Sequence, residues 1–171
     1  MSEKALFYKI LAILLERPEN PHYSIDSSLI PPLNPELTRL RRILTTKKPD
    51  LSEYDSTIGG LPGACSLGLN IQNPAFLASL KAYYEAHGFK LSETVPVDYL
   101  PAILEFLYWV FLNSPQKVAY KIEKEIAGRW GIGIVEQITA CLREKGKQST
   151  LYAELLELLK DYWLKLSRYE Q

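Results

Sequence analysis

Two carboxylates stand in the most hydrophobic segment of the chain, VPVDYLPAILEFLYWVFL at residues 95–112. On a helix that turns about 100° per residue, Asp98, Glu105 and Trp109 fall on one narrow stripe of an otherwise apolar surface. A buried carboxylate is costly unless it is paired or hydrogen-bonded, so each acid needs a partner. An acid beside apolar surface could receive a cationic side chain of a peptide, and arginine meets a carboxylate with two parallel hydrogen bonds.

Two structural explanations compete with this peptide-binding hypothesis. Asp98 falls in the first turn of the expected helix, where capping and the helix dipole would account for it. Glu105 could pair with a lysine or arginine of a neighbouring helix. The aromatic side chains preferred as lining of a groove are Tyr84, Tyr99 and Trp109, because such rings combine apolar surface with hydrogen bonding. Ordinary core packing is the alternative for each ring.

No group of residues indicates catalysis or a bound cofactor. Cys65 and Cys141 could form one disulfide, and with His22 and His87 they show no spacing typical of a metal site. His87 precedes Gly88 and is placed to contact the carbonyls of a last helical turn. The expectation is a protein that is not an enzyme and has no cofactor or metal of its own.

Charged segments are interpreted mainly as solvated surface. The basic cluster combines RLRR at residues 39–42 with Lys47 and Lys48, and phosphate contact is its alternative explanation. The segment KIEKEIAGR at residues 121–129 alternates in sign, which is typical of an exposed helix with pairs four residues apart.

The composition is that of one globular domain over residues 1–171. Hydrophobic residues make up 47%, charged residues 23%, and the formal net charge is zero, which argues against disorder and against general attraction to nucleic acid. The apolar runs fall short of the roughly 20 residues of a membrane span, and the N-terminus lacks a cleavage-site pattern. We therefore expect a cytoplasmic protein without stable membrane insertion.

Helical periodicity dominates, and Pro, Asn and Gly mark where helices begin and end. The glycine-rich stretch GGLPGACSLGLNIQ at residues 59–72 predicts a long irregular loop, a feature that is often functional. The expected fold is an all-α, bundle-like single domain of about seven to nine helices. The main predicted helices cover residues 3–17, 35–47, 51–58, 74–87, 98–112, 115–130 with Ser114-Pro115 as its cap, a segment ending near Lys145–Gly146 after Gly131 and Gly133, and one opened by Ser149.

Residues 80–110, LKAYYEAHGFKLSETVPVDYLPAILEFLYWV, closely resemble the TorD/DmsD/NarJ family of redox-enzyme maturation chaperones. The family pattern is a helix with paired aromatics and a glycine exit, a spacer, P-x-D-H, and then E-F two turns on. This chain departs from it at Tyr99, where the family has histidine, and it lacks a recognisable tryptophan-containing segment ahead of the paired aromatics. The matching residues are Tyr83-Tyr84, Gly88, Pro96-Val97-Asp98-Tyr99, Glu105-Phe106, and LLERP at residues 14–18.

The resemblance implies a TorD-like all-α fold and a chaperone without catalytic chemistry. Its partner would be the twin-arginine leader or N-terminal region of a molybdopterin/iron–sulfur oxidoreductase subunit, held for cofactor insertion before export or assembly. The protein would act as a monomer or dimer and would not bind nucleic acid. The alternative function is a helical regulatory or nucleic-acid-binding domain that uses the basic cluster between Arg39 and Lys48. The peptide-binding residues would be Pro96, Asp98, Tyr99, Glu105, Trp109, Tyr83 and Tyr84.

Overall fold

The predicted all-α class is confirmed by a computed structural model that describes residues 2–18 and 25–168. Eight α-helices form in this part of the chain, and its β-structure is limited to an isolated bridge between Gly59 and Ser66. The helices are α1 Glu3–Leu15, α2 Pro35–Thr46, α3 Leu51–Thr57, α4 Pro74–Ala86, α5 Leu100–Asn113, α6 Gln116–Ile126, α7 Ile132–Glu144 and α8 Leu151–Arg168.

Local capping signals set several helix ends where the sequence predicts them. The side chain of Asn34 accepts a hydrogen bond from the backbone N–H of Leu37, and Asn73 does the same for the first turn of α4. A proline follows each asparagine, which suits a position whose N–H has no helical partner. Gly88 ends α4 with a φ of +78°, the left-handed conformation that glycine adopts without strain.

α5 is the central helix and packs along α1. Its Leu100, Ile103, Leu104 and Leu107 are fully buried. Burying each such side chain stabilises the fold by about 1.5–3 kcal/mol. No helix within the described ranges is both long and apolar enough to cross a membrane.

The predicted break at Gly131 and Gly133 is wrong. A π-helical turn, Ala127–Gly131, joins α6 directly to α7, so the chain stays helical through both glycines. Gly131 is needed for packing instead, because a Cβ there would lie 2.6 Å from Cζ3 of Trp163. Ser114 does not cap α6 as predicted, because Pro115 occupies the capping position and no side chain donates or accepts a capping hydrogen bond there.

The irregular segment between α3 and α4 is tied to the bundle at several points. Cys65 forms a disulfide with Cys141 of α7, across 76 positions of sequence. The backbone N–H of Leu100 donates to the carbonyl of Leu67 at 2.9 Å, which joins the loop to the start of α5. The loop therefore has a defined path although it lacks helix. His22 lies outside the described residues.

Candidate functional site

Asp98 precedes α5 and does not occupy its first turn. Tyr99 is the capping residue, and α5 has no side-chain cap, so the helix-capping explanation for Asp98 is wrong. Its carboxylate instead accepts three backbone N–H groups of the loop, from Leu69 at 2.8 Å, Asn70 at 2.8 Å and Ile71 at 2.9 Å. Asp98 is only 2% exposed, so its charge is satisfied inside the fold. The residue acts as a clamp on the loop.

The clamp holds an unusual backbone conformation at Leu69. This residue has a φ of +63°, a region that residues other than glycine seldom adopt, and its side chain is 78% exposed. The preceding Gly68 lies so close to Pro96 and Tyr99 that a Cβ would come within 3.3 Å of both. The Asp98 hydrogen bonds therefore offset local strain at Leu69, in a loop whose Gly68 packs against two of the predicted site residues.

Glu105 pairs with a lysine of the neighbouring helix, which confirms the structural explanation proposed for it. Lys9 Nζ of α1 lies 3.1 Å from Glu105 Oε1, and the same ammonium lies 4.9 Å from the centre of the Tyr108 ring. About one third of each charged side chain remains exposed, 37% for Lys9 and 33% for Glu105. Such a pair contributes at most about 1 kcal/mol, and its lysine can move into solvent at little cost.

Glu16 is a second acid near this pair, and the sequence analysis missed it. It follows the last residue of α1. Partial burial raises the pKa of Glu16, the charge of Glu105 raises it further, and Lys9 opposes the shift. Lys9 therefore pairs directly with Glu105 and also acts on the nearby Glu16 through its charge. The sequence could not bring Glu16 to Glu105, because they belong to different helices and no local pattern pairs α1 with α5.

Exposed apolar side chains border these charges. Trp109 is 36% exposed and Leu112 is 47% exposed on α5, and Ile13 is 38% exposed on α1. Trp109 follows Glu105 by one helical turn, and Ile13 follows Lys9 by one turn, so each lies next to its charged neighbour. We call this surface the α1–α5 face; its residues are Lys9, Ile13, Glu16, Glu105, Trp109 and Leu112. It combines net negative charge with apolar contact area.

Tyr99 reaches the edge of the α1–α5 face, whereas the paired tyrosines of α4 lie elsewhere. Burial raises the pKa of the Tyr99 hydroxyl, and the nearby Glu16 raises it further. Tyr84 is 1% exposed, packs on Phe106 with ring centres 5.0 Å apart, and belongs to the core. Tyr83 is half-buried and donates its hydroxyl proton to Glu125 of α6 at 2.7 Å. The rings of both tyrosines pack against Phe106 of α5.

No protein-family model matches this chain, and no curated protein matches it. What the site does is therefore inferred from its geometry and from the residues in 80–110 that resemble the family.

Members of the basic cluster are engaged in surface ion pairs with α8. Arg39 lies 2.8 Å from Asp161, and Lys47 lies 3.1 Å from Glu154. In the described part of the chain, no three His, Cys, Asp or Glu side chains converge in a way that could hold a metal ion. The α1–α5 face is thus a surface of the described chain where acidic and exposed apolar side chains meet.

Proposed function

We propose that this protein is a chaperone that binds the twin-arginine leader or N-terminal region of a molybdopterin/iron–sulfur oxidoreductase subunit. The observation that carries the proposal is the α1–α5 face, where the Lys9–Glu105 ion pair lies near the second acid Glu16 and beside exposed Trp109. A peptide with an arginine pair followed by an apolar stretch complements this face in charge and in hydrophobicity.

The charged end of the peptide would exchange places with Lys9. One guanidinium takes the position of the Lys9 ammonium on Glu105, and the second approaches Glu16. Arginine is favoured over lysine because a planar guanidinium can hold a carboxylate with two hydrogen bonds. Lys9 then turns to solvent, which is feasible because its side chain is already 37% exposed.

The apolar stretch of the leader would cover Trp109, Leu112 and Ile13. Burying such side chains supplies affinity that salt does not screen, and an aromatic anchor of this kind often dominates an interface. Release needs no covalent step, because folding of the client or capture by the export machinery competes for the same segment. The chaperone would act in the cytoplasm while its client acquires the cofactor.

Asp98 contributes indirectly in this proposal. Its carboxylate is occupied by the three loop amides, so it positions the loop and Tyr99 and leaves the arginines to Glu16 and Glu105. The family resemblance implies a binding role for Asp98, and a positioning role preserves its importance without direct peptide contact.

Calorimetric titration with twin-arginine leader peptides from the same genome tests the proposal, with twin-lysine versions of each peptide as controls. We expect selective micromolar binding. Trp109→Ala should weaken binding about tenfold or more, since an aromatic anchor often contributes about 2 kcal/mol. Glu105→Gln should weaken it about two- to fivefold, since a partly exposed ion pair contributes at most about 1 kcal/mol. Glu144→Gln removes an exposed carboxylate from α7 and should change nothing.

Wild-type affinity in both Glu105→Gln and Trp109→Ala would overturn this use of the face. The nucleic-acid alternative has a separate signature, because binding through Arg41 and Arg42 would fall steeply with salt and would be lost in an Arg41→Gln/Arg42→Gln variant.

A further inference from the structure

A second site lies where α1, α2, α6 and α8 meet. A cavity of about 470 Å³ opens there, a size that suits a small ligand or one long side chain. Charged and aromatic side chains give the cavity its chemical character. They are three acids, three lysines and two tyrosines: Glu3, Lys4, Glu36, Tyr120, Glu123, Lys124, Tyr162 and Lys165. None of them belongs to the α1–α5 face.

Glu123 forms the floor of this cavity, and its burial corrects the interpretation of residues 121–129 as a wholly solvated face. It is 1% exposed. Its Oε2 accepts hydrogen bonds from the hydroxyls of Tyr8 at 2.6 Å and Tyr162 at 2.9 Å. Its Oε1 meets Lys4 Nζ at 3.4 Å, which is longer than the roughly 2.7–2.9 Å of a good charged hydrogen bond. One oxygen is thus firmly held, and the other is weakly satisfied.

Glu36, at the side of the cavity, is a second largely buried carboxylate with a long contact to its lysine. Its side chain is 16% exposed, while Lys165, at 3.9 Å, is 54% exposed. The cavity therefore holds two largely buried carboxylates whose lysine partners lie 3.4 Å and 3.9 Å away, at the long end of the ion-pair range. Buried carboxylates are stabilised by close, hydrogen-bonded cations, so this arrangement leaves capacity for a better-placed positive group.

Aromatic rings complete the environment of a cation. Lys4 Nζ lies 4.4 Å from the centre of the Tyr162 ring and 5.6 Å from that of Tyr120. Both distances fall within the roughly 6 Å over which a ring face attracts a cation. A carboxylate together with aromatic ring faces can bind an alkylammonium or guanidinium group. The Lys4 ammonium occupies the position that such a group would take.

We propose that this cavity binds an alkylammonium or guanidinium group carried on an apolar stem, and that Lys4 is an internal occupant that the ligand replaces. Lys4 suits that role because it lies in the first turn of α1 and 24% of its side chain is exposed. The ligand is either a small organic cation or a lysine or arginine side chain of a partner protein. The site does not depend on the leader-binding function.

The test titrates the full chain with n-butylguanidinium chloride by calorimetry. Lys4→Met keeps an unbranched stem and removes the competing charge, so it should bind the probe at least tenfold more tightly than the wild type does. Adding Glu123→Gln to that variant should abolish the gain. The matched control is Lys160→Met on α8, which removes the lysine paired with Glu157, a carboxylate that is 41% exposed and belongs to neither site. It should not gain affinity for a small cation.

Thermal unfolding is a second measurement, which keeps the test informative if Lys4→Met is less stable than the wild type. Butylguanidinium should raise the thermal midpoint of Lys4→Met more than that of the wild type, relative to sodium chloride at the same ionic strength, because a ligand stabilises the state it binds. The proposal is overturned if Lys4→Met gains neither affinity nor this stabilisation, or if Glu123→Gln leaves the gain intact. The Lys4–Glu123 pair would then be purely structural.

The source of the cation is decided by a second probe. An acetylated, amidated peptide with one arginine between alanines is titrated into Lys4→Met beside butylguanidinium. Equal or tighter peptide binding indicates a side chain of a partner protein, whereas exclusion of the peptide indicates a small organic cation. Both results support the cation site.

Discussion

Replacing Asp98 by asparagine should release the loop that its carboxylate clamps. Asparagine has nearly the same shape, but it has one acceptor oxygen and an NH₂ group in place of the second. It can still accept from Asn70 and Ile71 through one oxygen, and its NH₂ then faces the N–H of Leu69, which loses its partner. The change removes one hydrogen bond and the negative charge that strengthens the other two.

The expected cost follows from these contacts. A hydrogen bond to a charged group contributes about 1.5–3 kcal/mol, and a buried N–H without a partner costs about 1–3 kcal/mol. Because some water can reach the loop, we expect a loss of about 2–4 kcal/mol in the free energy of unfolding. For a chain of 171 residues, this corresponds to a fall of about 5–15 °C in the thermal midpoint.

Amide hydrogen exchange and thermal unfolding together test this expectation. In Asp98→Asn, the amides of Leu69, Asn70 and Ile71 should exchange at least about tenfold faster, while amides in the middle of α5 change no more than global stability requires. Glu105→Gln is the control, because its partly exposed ion pair should cost at most about 1 kcal/mol. Unchanged exchange at the three amides with an unchanged midpoint would refute the clamp.

Two further predictions concern the disulfide and pH. The disulfide closes a long loop, so replacing Cys65 and Cys141 by serine should lower the free energy of unfolding by about 2–4 kcal/mol relative to the oxidised protein. In urea unfolding, the serine variant should be as stable as the reduced wild-type protein. Equal stability of oxidised and reduced protein would contradict this. Burial raises the pKa of Glu123 in the folded state, so the free energy of unfolding should fall as pH rises from the ordinary glutamate value of about 4.3 through the raised pKa. Glu123→Gln should flatten that part of the pH profile in urea titrations, and an unchanged slope would exclude Glu123 as its origin.

The helix boundaries that the sequence predicts correctly depend on neighbouring residues. Asn34 and Asn73 cap helices through atoms two or three residues away, so their role is visible in a short window. Asp98 carries the same kind of acceptor, but its three partners lie 27 to 29 residues earlier. Neighbouring residues alone suggest that Asp98 caps the nearest helix, and only the tertiary structure shows that it binds the amides of the loop.

The burial of Glu123 could have been predicted from the sequence. This residue stands with Ala119, Ile122 and Ile126 at the spacing of an inward helix face, and all four are buried. The alternating charges around it favoured a solvated interpretation, since glutamate is seldom fully buried. What the sequence could not supply was the pair of tyrosines that makes the burial tolerable, because Tyr8 and Tyr162 come from opposite ends of the chain.

The two acidic sites share a design in which α1 supplies an internal lysine to each, Lys9 to Glu105 and Lys4 to Glu123. Their burial predicts different behaviour. Glu105 is one third exposed, so exchange of Lys9 for an arginine changes little in electrostatic energy, and affinity at the α1–α5 face has to come mainly from apolar contact. Glu123 is 1% exposed, so its cation is strongly required, and a ligand gains there chiefly by making a shorter contact than the 3.4 Å of Lys4. Binding at the face should therefore depend on Trp109, whereas binding in the cavity should depend on the charge of Glu123.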